Sequence, residues 1–415
     1  MQLYNHYAIY DSGLSIKSLF INNLLKGLAP KPFDHFKGKK GLYFSNFTLK
    51  SFLKEEVLHN DYSLSKNEKR SIRTFSSGEQ KKALLKYLLS KNPDFLILEN
   101  VFDMLDKESR ASLLIELGEI SKKTPIIQLF KRKSELLPFI STILHIENEE
   151  ILFIGSANEF EFKFKKEQLK EVNARIPKPL NKFEVVENPL IQFKNVSVKY
   201  NGRTILNDVN WKIKKGEFWQ LMGPNGSGKT TLLTMLIGDN PKAYGEDITI
   251  FGVKKGSGES VWEIKKKIGY VTPAMTELFK GRHSVENMII SGLYDSIGLY
   301  QPPTTTEKKL ASEWIELIGL NGFKQTWFRR LTEEQQCLVL IARSMIKHPP
   351  LLILDEPSSG LNDYNIAFLT NLINKMAKET STAIIYVSHK KEKGLNPSHI
   401  FELVPSKNGS IGLVK

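Results

Sequence analysis

Two stretches of the chain repeat one pattern: an apolar strand, a polar loop, then an apolar-periodic helix. The first runs through His6-Tyr-Ala-Ile-Tyr10, the loop Asp11–Ser18 and a predicted helix over 19–27. The second runs through Glu217-Phe-Trp-Gln-Leu-Met222, a glycine-rich loop and a predicted helix over 230–238. Each is followed downstream by a continuous apolar run ending in acid, Phe95-Leu-Ile-Leu-Glu99 and Leu351-Leu-Ile-Leu-Asp355. Continuous apolar strands between helices predict a mostly parallel sheet covered on both faces. The chain therefore reads as two α/β halves. Ahead of the second, Leu190–Tyr200 alternates like a half-buried strand, and Asn201-Gly202 is a hairpin signal. The second half is thus expected to carry added antiparallel strands that the first lacks.

These patterns predict domains at 1–160 and 188–415, joined by a basic, polar linker over 161–187 that contains Pro177 and Pro179. The first half is much shorter between its strand–loop–helix unit and its later strands.

At 415 residues, 41% hydrophobic and 25% charged, the composition is that of a globular protein with large cores. The one cysteine, Cys337, excludes an internal disulfide and fits a reducing compartment. Met1-Gln-Leu-Tyr-Asn-His lacks the basic and apolar regions of a signal peptide. No run approaches the roughly 18 apolar residues of a membrane span. The expected location is the cytoplasm, with any membrane link made through a partner on the inner face of the cell membrane. A net charge of +14 fits nucleic acid, an anionic membrane surface or a solvated basic face. Lysines are spread along the chain and are not interleaved with strand aromatics as in an RNA-binding sheet.

The loop Gly223-Pro224-Asn225-Gly226-Ser227-Gly228-Lys229-Thr230-Thr231 fits G-x-x-x-x-G-K-[ST] at every fixed position. Such a loop aims backbone N–H groups at phosphates, and the following helix N-terminus adds partial positive charge. Lys229 would neutralise β/γ-phosphates, and Thr230 would ligand Mg²⁺. Asp355 would bind the same Mg²⁺, and Glu356 would orient or deprotonate the attacking water. In the first half, Asp11, Leu14 and Ile16 stand where the three glycines should, Lys17 is a relic of the phosphate lysine, and Glu99-Asn100 has an amide for the hydrolytic carboxylate.

These features resemble the ABC ATPase superfamily, over nearly the whole chain. The resemblance implies two P-loop NTPase domains, each with a helical subdomain, the C-terminal one with an antiparallel β-subdomain. It also implies head-to-tail pairing of the two halves, which makes a monomer possible, with two chains pairing through their C-terminal halves as the alternative. Each ATP would then lie between the P-loop of one half and the signature of the other. The signature is degraded in the second half, Leu331-Thr332-Glu333-Glu334-Gln335, and better kept in the first, Phe75-Ser76-Ser77-Gly78-Glu79-Gln80. Asp106, seven residues after Glu99, matches the D-loop aspartate, whereas Asn362 stands at that place after Asp355. One composite site is expected: the C-terminal P-loop and Walker B with Ser76, Gly78 and Asp106 of the N-terminal half. Tyr200 resembles the adenine-stacking aromatic, with an ordinary strand tyrosine as the alternative. His389 resembles the switch histidine near γ-phosphate, and Lys131 stands at its N-terminal counterpart. The Q-loop departs from the family, reading Thr272-Pro273 where Pro-Gln is expected.

Segments such as Leu236-Ile-Gly-Asp239-Asn-Pro-Lys-Ala-Tyr244 and Ser291–Tyr300 resemble the tandem ATPases known as molybdenum-import ATP-binding protein ModF, or photorepair protein. Two function classes follow. One is the ATPase subunit of a transporter, with 275–303 docking on a transmembrane permease subunit. The other is a soluble ATP-driven switch acting on the ribosome or nucleic acid. Against an ABC-F translation factor stands the short, proline-containing linker.

Overall fold

The computed structural model describes residues 4–415 apart from 11–13, 15, 17, 60–61, 66–70, 104, 148–149, 165–173, 182, 184–187, 259 and 280. The Asp11 and Lys17 readings lie outside the described residues. The chain divides into two compact units, 1–168 with 360–363, and 169–359 with 364–415.

The N-terminal unit has strands β1 (Tyr7–Tyr10), β2 (Gly41–Phe44), β3 (Phe95–Glu99), β4 (Ile126–Phe130), β5 (Thr142–Glu147) and β6 (Glu150–Gly155). Its helices are α1 (Leu19–Leu25), α2 (Asn46–His59), α3 (Ser77–Leu89), α4 (Lys107–Ser121) and α5 (Ala157–Phe164). The strands form one six-stranded sheet in the order β2-β3-β4-β1-β5-β6. All neighbours are parallel except the closing β5–β6 pair. Alternation along β1 explains the unbroken apolar run. Ala8 and Tyr10 enter a core that also holds Leu84, Leu113 and Leu117 from α3 and α4. Tyr7 and Ile9 enter a second core with Phe20, Ile21 and Leu24 from α1.

The C-terminal unit opens with β7 (Ile191–Tyr200) and β8 (Arg203–Ile213). Asn201 and Gly202 both take positive φ, 47° and 79°, as a tight two-residue hairpin needs, and Tyr200 pairs with Arg203 across it. Then follow β9 (Phe218–Met222), α6 (Lys229–Leu236), β10 (Asp247–Ile250), β11 (Val253–Lys254), α7 (Val261–Lys266) and β12 (Ile268–Val271). Helices α8 (Val285–Ile290), α9 (Thr305–Leu317) and α10 (Glu333–Met345) form the helical insertion. The unit ends with β13 (Leu351–Asp355), α11 (Asp363–Glu379), β14 (Ala383–Ser388), β15 (His399–Val404) and β16 (Ile411–Val414). Its main sheet has the order β12-β13-β14-β9-β15-β16, again parallel with an antiparallel closing pair.

Strand by strand in chain order, the two main sheets are the same sheet. The C-terminal unit adds an antiparallel four-stranded sheet, β11-β10-β7-β8, with no counterpart among the described residues of the other. Trp211 of β8 stacks on Phe401 of the main sheet with ring centroids 4.5 Å apart, so both sheets share one core.

Candidate functional site

The register of the C-terminal sheet brings the predicted chemistry to one edge. Met222 pairs with Ser388, Leu221 with Val387, and Val387 with Asp355. The loops that leave β9, β13 and β14 therefore emerge side by side at the carboxyl ends of the strands, where open α/β sheets bind ligands. These loops carry Gly223–Thr230, Glu356 and His389.

The loop after β9 is built for close approach. Gly228 has φ 96°, and a Cβ there would meet Leu206 Cδ2 at 2.6 Å. A Cβ on Gly223 would meet Ser227 Oγ at 2.6 Å. Lys229 is buried, and its ammonium donates to Gly223 O at 2.8 Å and Pro224 O at 3.1 Å. It folds over its own loop. Ser227 Oγ is buried with no protein partner. An orphaned hydroxyl inside a glycine cradle at a helix N-terminus fits phosphate oxygens. Thr230 and Thr231 open α6, whose first turn holds no acid.

Burial and the neighbouring Glu356 push the Asp355 carboxyl up to about 6, with Lys229 opposing. A divalent cation would relieve that cost. Among the described residues no cluster of three or more acid, histidine or cysteine ligands exists. Asp355 and Thr230 with phosphate oxygens suit Mg²⁺, which is bound through few protein ligands and substrate phosphates. Glu356 has φ 50° and its amide donates to Val387 O at 3.0 Å. A non-glycine residue held in this region costs energy, and such residues gather at functional sites. Tyr200 is 39% exposed, and its hydroxyl is held by the buried amide of Asn240, at 2.8 and 3.1 Å. Thr272, in the altered Q-loop, precedes a 3₁₀ turn that begins at Pro273.

At the same edge of the N-terminal sheet the chemistry differs. Leu14 and Ile16 pack against the apolar core. Glu99 takes the place of Asp355 in the register, pairing with Leu129 as Asp355 pairs with Val387. Its carboxylate accepts from the buried hydroxyl of Tyr43 at 2.8 Å. Burial and Glu99 drive the Tyr43 hydroxyl pKa well up. Asn100 keeps the left-handed backbone of Glu356, with φ 46° and an amide bonded to Leu129 O. The turn survives there without its carboxylate.

Ser76, Gly78 and Asp106 are built by the N-terminal unit. Ser76 caps α3 in a reciprocal box with Glu79. Gly78 lies where a Cβ would meet Ser109 Oγ at 2.8 Å, so α3 and α4 touch there. Asp106 caps α4 through Ser109 N at 2.8 Å. In the C-terminal unit Thr332 caps α10, with Glu333 and Glu334 in its first turn, where acid suits the helix dipole.

Sequence reasoning missed Tyr43 and Asn240, which nothing local marks.

The ABC transporter family model matches residues 206–359. The chain is 36% identical over 349 residues to the ABC transporter ATP-binding protein ModF of Escherichia coli (strain K12), covering 81% of this chain and 71% of that one. An uncharacterized ABC transporter ATP-binding protein of Schizosaccharomyces pombe is 31% identical over 333 residues, 78% of this chain and 66% of that one. In fold, a chain from a model of ribosome-bound archaeal Pelota and ABCE1 matches with a TM-score of 0.66 at 15% identity, covering 99% of this chain and 74% of that one. The protein belongs to the ABC ATP-binding-cassette family of ATPases, as a tandem-cassette member similar to ModF.

Proposed function

We propose that this tandem ATPase works through one composite ATP site and energises a membrane transporter. The observation that carries the single site is complementary loss. The C-terminal unit keeps the glycine cradle, Lys229, Asp355 and Glu356; the N-terminal unit keeps Ser76, Gly78 and Asp106. Independent decay would not sort the losses so that one donor set and one acceptor set survive on opposite units.

In this reading Lys229 and the α6 N-terminus hold the phosphates, and Tyr200 stacks on adenine. Mg²⁺, when bound, supplies charge neutralisation at the β/γ-phosphates through Thr230 and Asp355. Glu356 orients water against the γ-phosphorus and takes its proton as the bond to ADP breaks, releasing phosphate. His389 contacts the γ-phosphate from the end of β14. Ser76, Gly78 and Asp106 complete the site in the head-to-tail pairing of the family.

The transporter role is supported by the names of the relatives and by the helical insertion. There Leu278, Ile297 and Tyr300 lie exposed within the 275–303 segment, Tyr300 at 81%. Exposed apolar side chains grouped in one region mark partner surfaces. No helix among the described residues is long and apolar enough to cross a membrane.

A second reading, a soluble switch on the ribosome or nucleic acid, is favoured by the +14 charge. Capture of partners by tagged Glu356→Gln protein with Mg·ATP separates the two. A membrane protein recovered only with ATP supports the transporter. Ribosomes or nucleic acid lost at high salt support the switch. Ser76→Arg tests the composite site: turnover should stop although ATP still binds at the C-terminal P-loop. Full turnover of that variant as a purified monomer would remove the composite site.

A further inference from the structure

The segments that carry Glu356 and His389 are joined beneath the site by a buried carboxylate. Glu392, three residues after His389, is 6% exposed. Ser358, two residues after Glu356, donates its hydroxyl to Glu392 Oε2 at 2.6 Å, in a buried setting. The Tyr386 hydroxyl of β14 donates to the same oxygen at 3.4 Å. The loop between is held further: Gln220 Nε2, fully buried on β9, donates to Ser388 Oγ at 2.9 Å and to Lys390 O at 3.2 Å. Taking a carboxylate out of water is costly, so a fold keeps one there only for what its bonds achieve.

The other unit ties the corresponding segments differently. With Glu99 aligned to Asp355, Phe102 falls on Ser358; with Leu129 aligned to Val387, Ser134 falls on Glu392. There Arg110 lies over the Phe102 ring at 4.6 Å and donates to Ser134 O. The same two segments are tied by a surface arginine, and the acid of that loop, Glu135, lies 3.8 Å from Arg132. The serine–carboxylate bond occurs in the unit that holds the complete hydrolytic set.

We infer that Glu392 is a positioning residue that, through Ser358, locks the Glu356 turn to the His389 loop and thereby serves the chemical step of ATP hydrolysis. This rests on the proposed ATPase site. Two groups that must meet one γ-phosphate from different strands lose rate when their separation drifts by a fraction of an ångström. Glu392 touches neither nucleotide nor water in this scheme; it sets the distance between those that do.

The test uses the full chain with Glu392→Gln, Glu392→Ala, Ser358→Ala and the double Ser358→Ala/Glu392→Ala, measuring kcat, ATP Kd and Tm. Ser358→Ala and Glu392→Ala should each lower kcat by about tenfold or more, with ATP Kd within about twofold. The double variant should be no slower than Glu392→Ala, because the pair acts as a unit. Glu392→Gln, which keeps an acceptor for Ser358, should recover part of the rate. Unchanged kcat in Ser358→Ala and Glu392→Gln would overturn the inference. So would a parallel fall of kcat, affinity and Tm, which marks a purely structural group. A wild type that binds ATP without turnover would remove the ATPase site and this inference with it, whereas normal wild-type turnover with insensitive variants removes the inference alone.

Discussion

Compare the turn after β3 with the turn after β13. Both leave a central parallel strand, both bond back to the neighbouring strand, and both place a non-glycine residue at positive φ, Asn100 at 46° and Glu356 at 50°. The backbone is one design. The chemistry is not: Glu99 is engaged by Tyr43, and apolar Leu14 and Ile16 pack against the core. The lesson is that sheet register and loop geometry persist on packing alone, whereas a phosphate site depends on a few glycines and charges that packing does not protect.

The largest test of this contrast is Lys229→Ala against Lys17→Ala. The first should weaken ATP binding by ~100-fold or more, the cost of a lost charge-assisted contact to phosphate. The second should change Kd and turnover by less than about twofold. Equal damage, read by nucleotide titration, would break the single-site comparison.

Next come the two turns themselves. Glu356→Gln should cut turnover by about a hundredfold or more while ATP stays bound. Asn100→Glu, which restores the missing carboxylate, should gain no turnover, because the loop beside it holds no cradle. Single-turnover assays on both variants check this; a gain in Asn100→Glu would show that the N-terminal site still holds nucleotide.

A stability comparison sharpens the same region. Lys81 of α3 and Cys337 of α10 occupy matching places after their signatures. Lys81 is buried and donates to Val101 O at 3.0 Å and Asp103 O at 2.6 Å. Cys337 Sγ reaches Pro357 O at 3.3 Å, the position that matches Val101. Lys81→Met should destabilise the N-terminal unit by ~2–3 kcal/mol, because it strands buried carbonyls. Cys337→Ala should cost about 0.5 kcal/mol, since its S–H is a weak donor. Urea denaturation of each variant measures both.

The smallest effect is chemical. Burial and the nearby Glu334 push the Cys337 thiol up to about 12 from 9.0. The folded state therefore holds the proton more tightly, and this group's stabilisation is present below pH 9 and lost as pH rises toward 12. At pH 8 the thiol is held in its protonated form. Iodoacetamide should label the native protein more slowly than the urea-unfolded chain; equal rates would contradict the raised pKa of the half-buried thiol.

Much of this was legible beforehand. Glycine spacing before Lys229, the apolar runs ending at Glu99 and Asp355, and Asn201-Gly202 each have a local cause that any copy of the sequence carries. The predicted strand Glu217–Met222 forms as β9 from Phe218. The predicted helix over 230–238 forms as α6 over Lys229–Leu236, ending earlier than its apolar pattern. Tyr43, Asn240, Ser358 and Glu392 were illegible because each acts on a partner distant in sequence, 56 residues in the case of Tyr43 and Glu99.

The sequence by itself determined the duplication, the loop that can cradle phosphate and the loop that cannot, since these depend on residue type at short spacing. Only the tertiary structure decided which side chain engages Glu99 at the N-terminal edge and which carboxylate braces the C-terminal one. Those choices are made where parallel strands bring distant segments within hydrogen-bond reach, and no local pattern encodes that meeting.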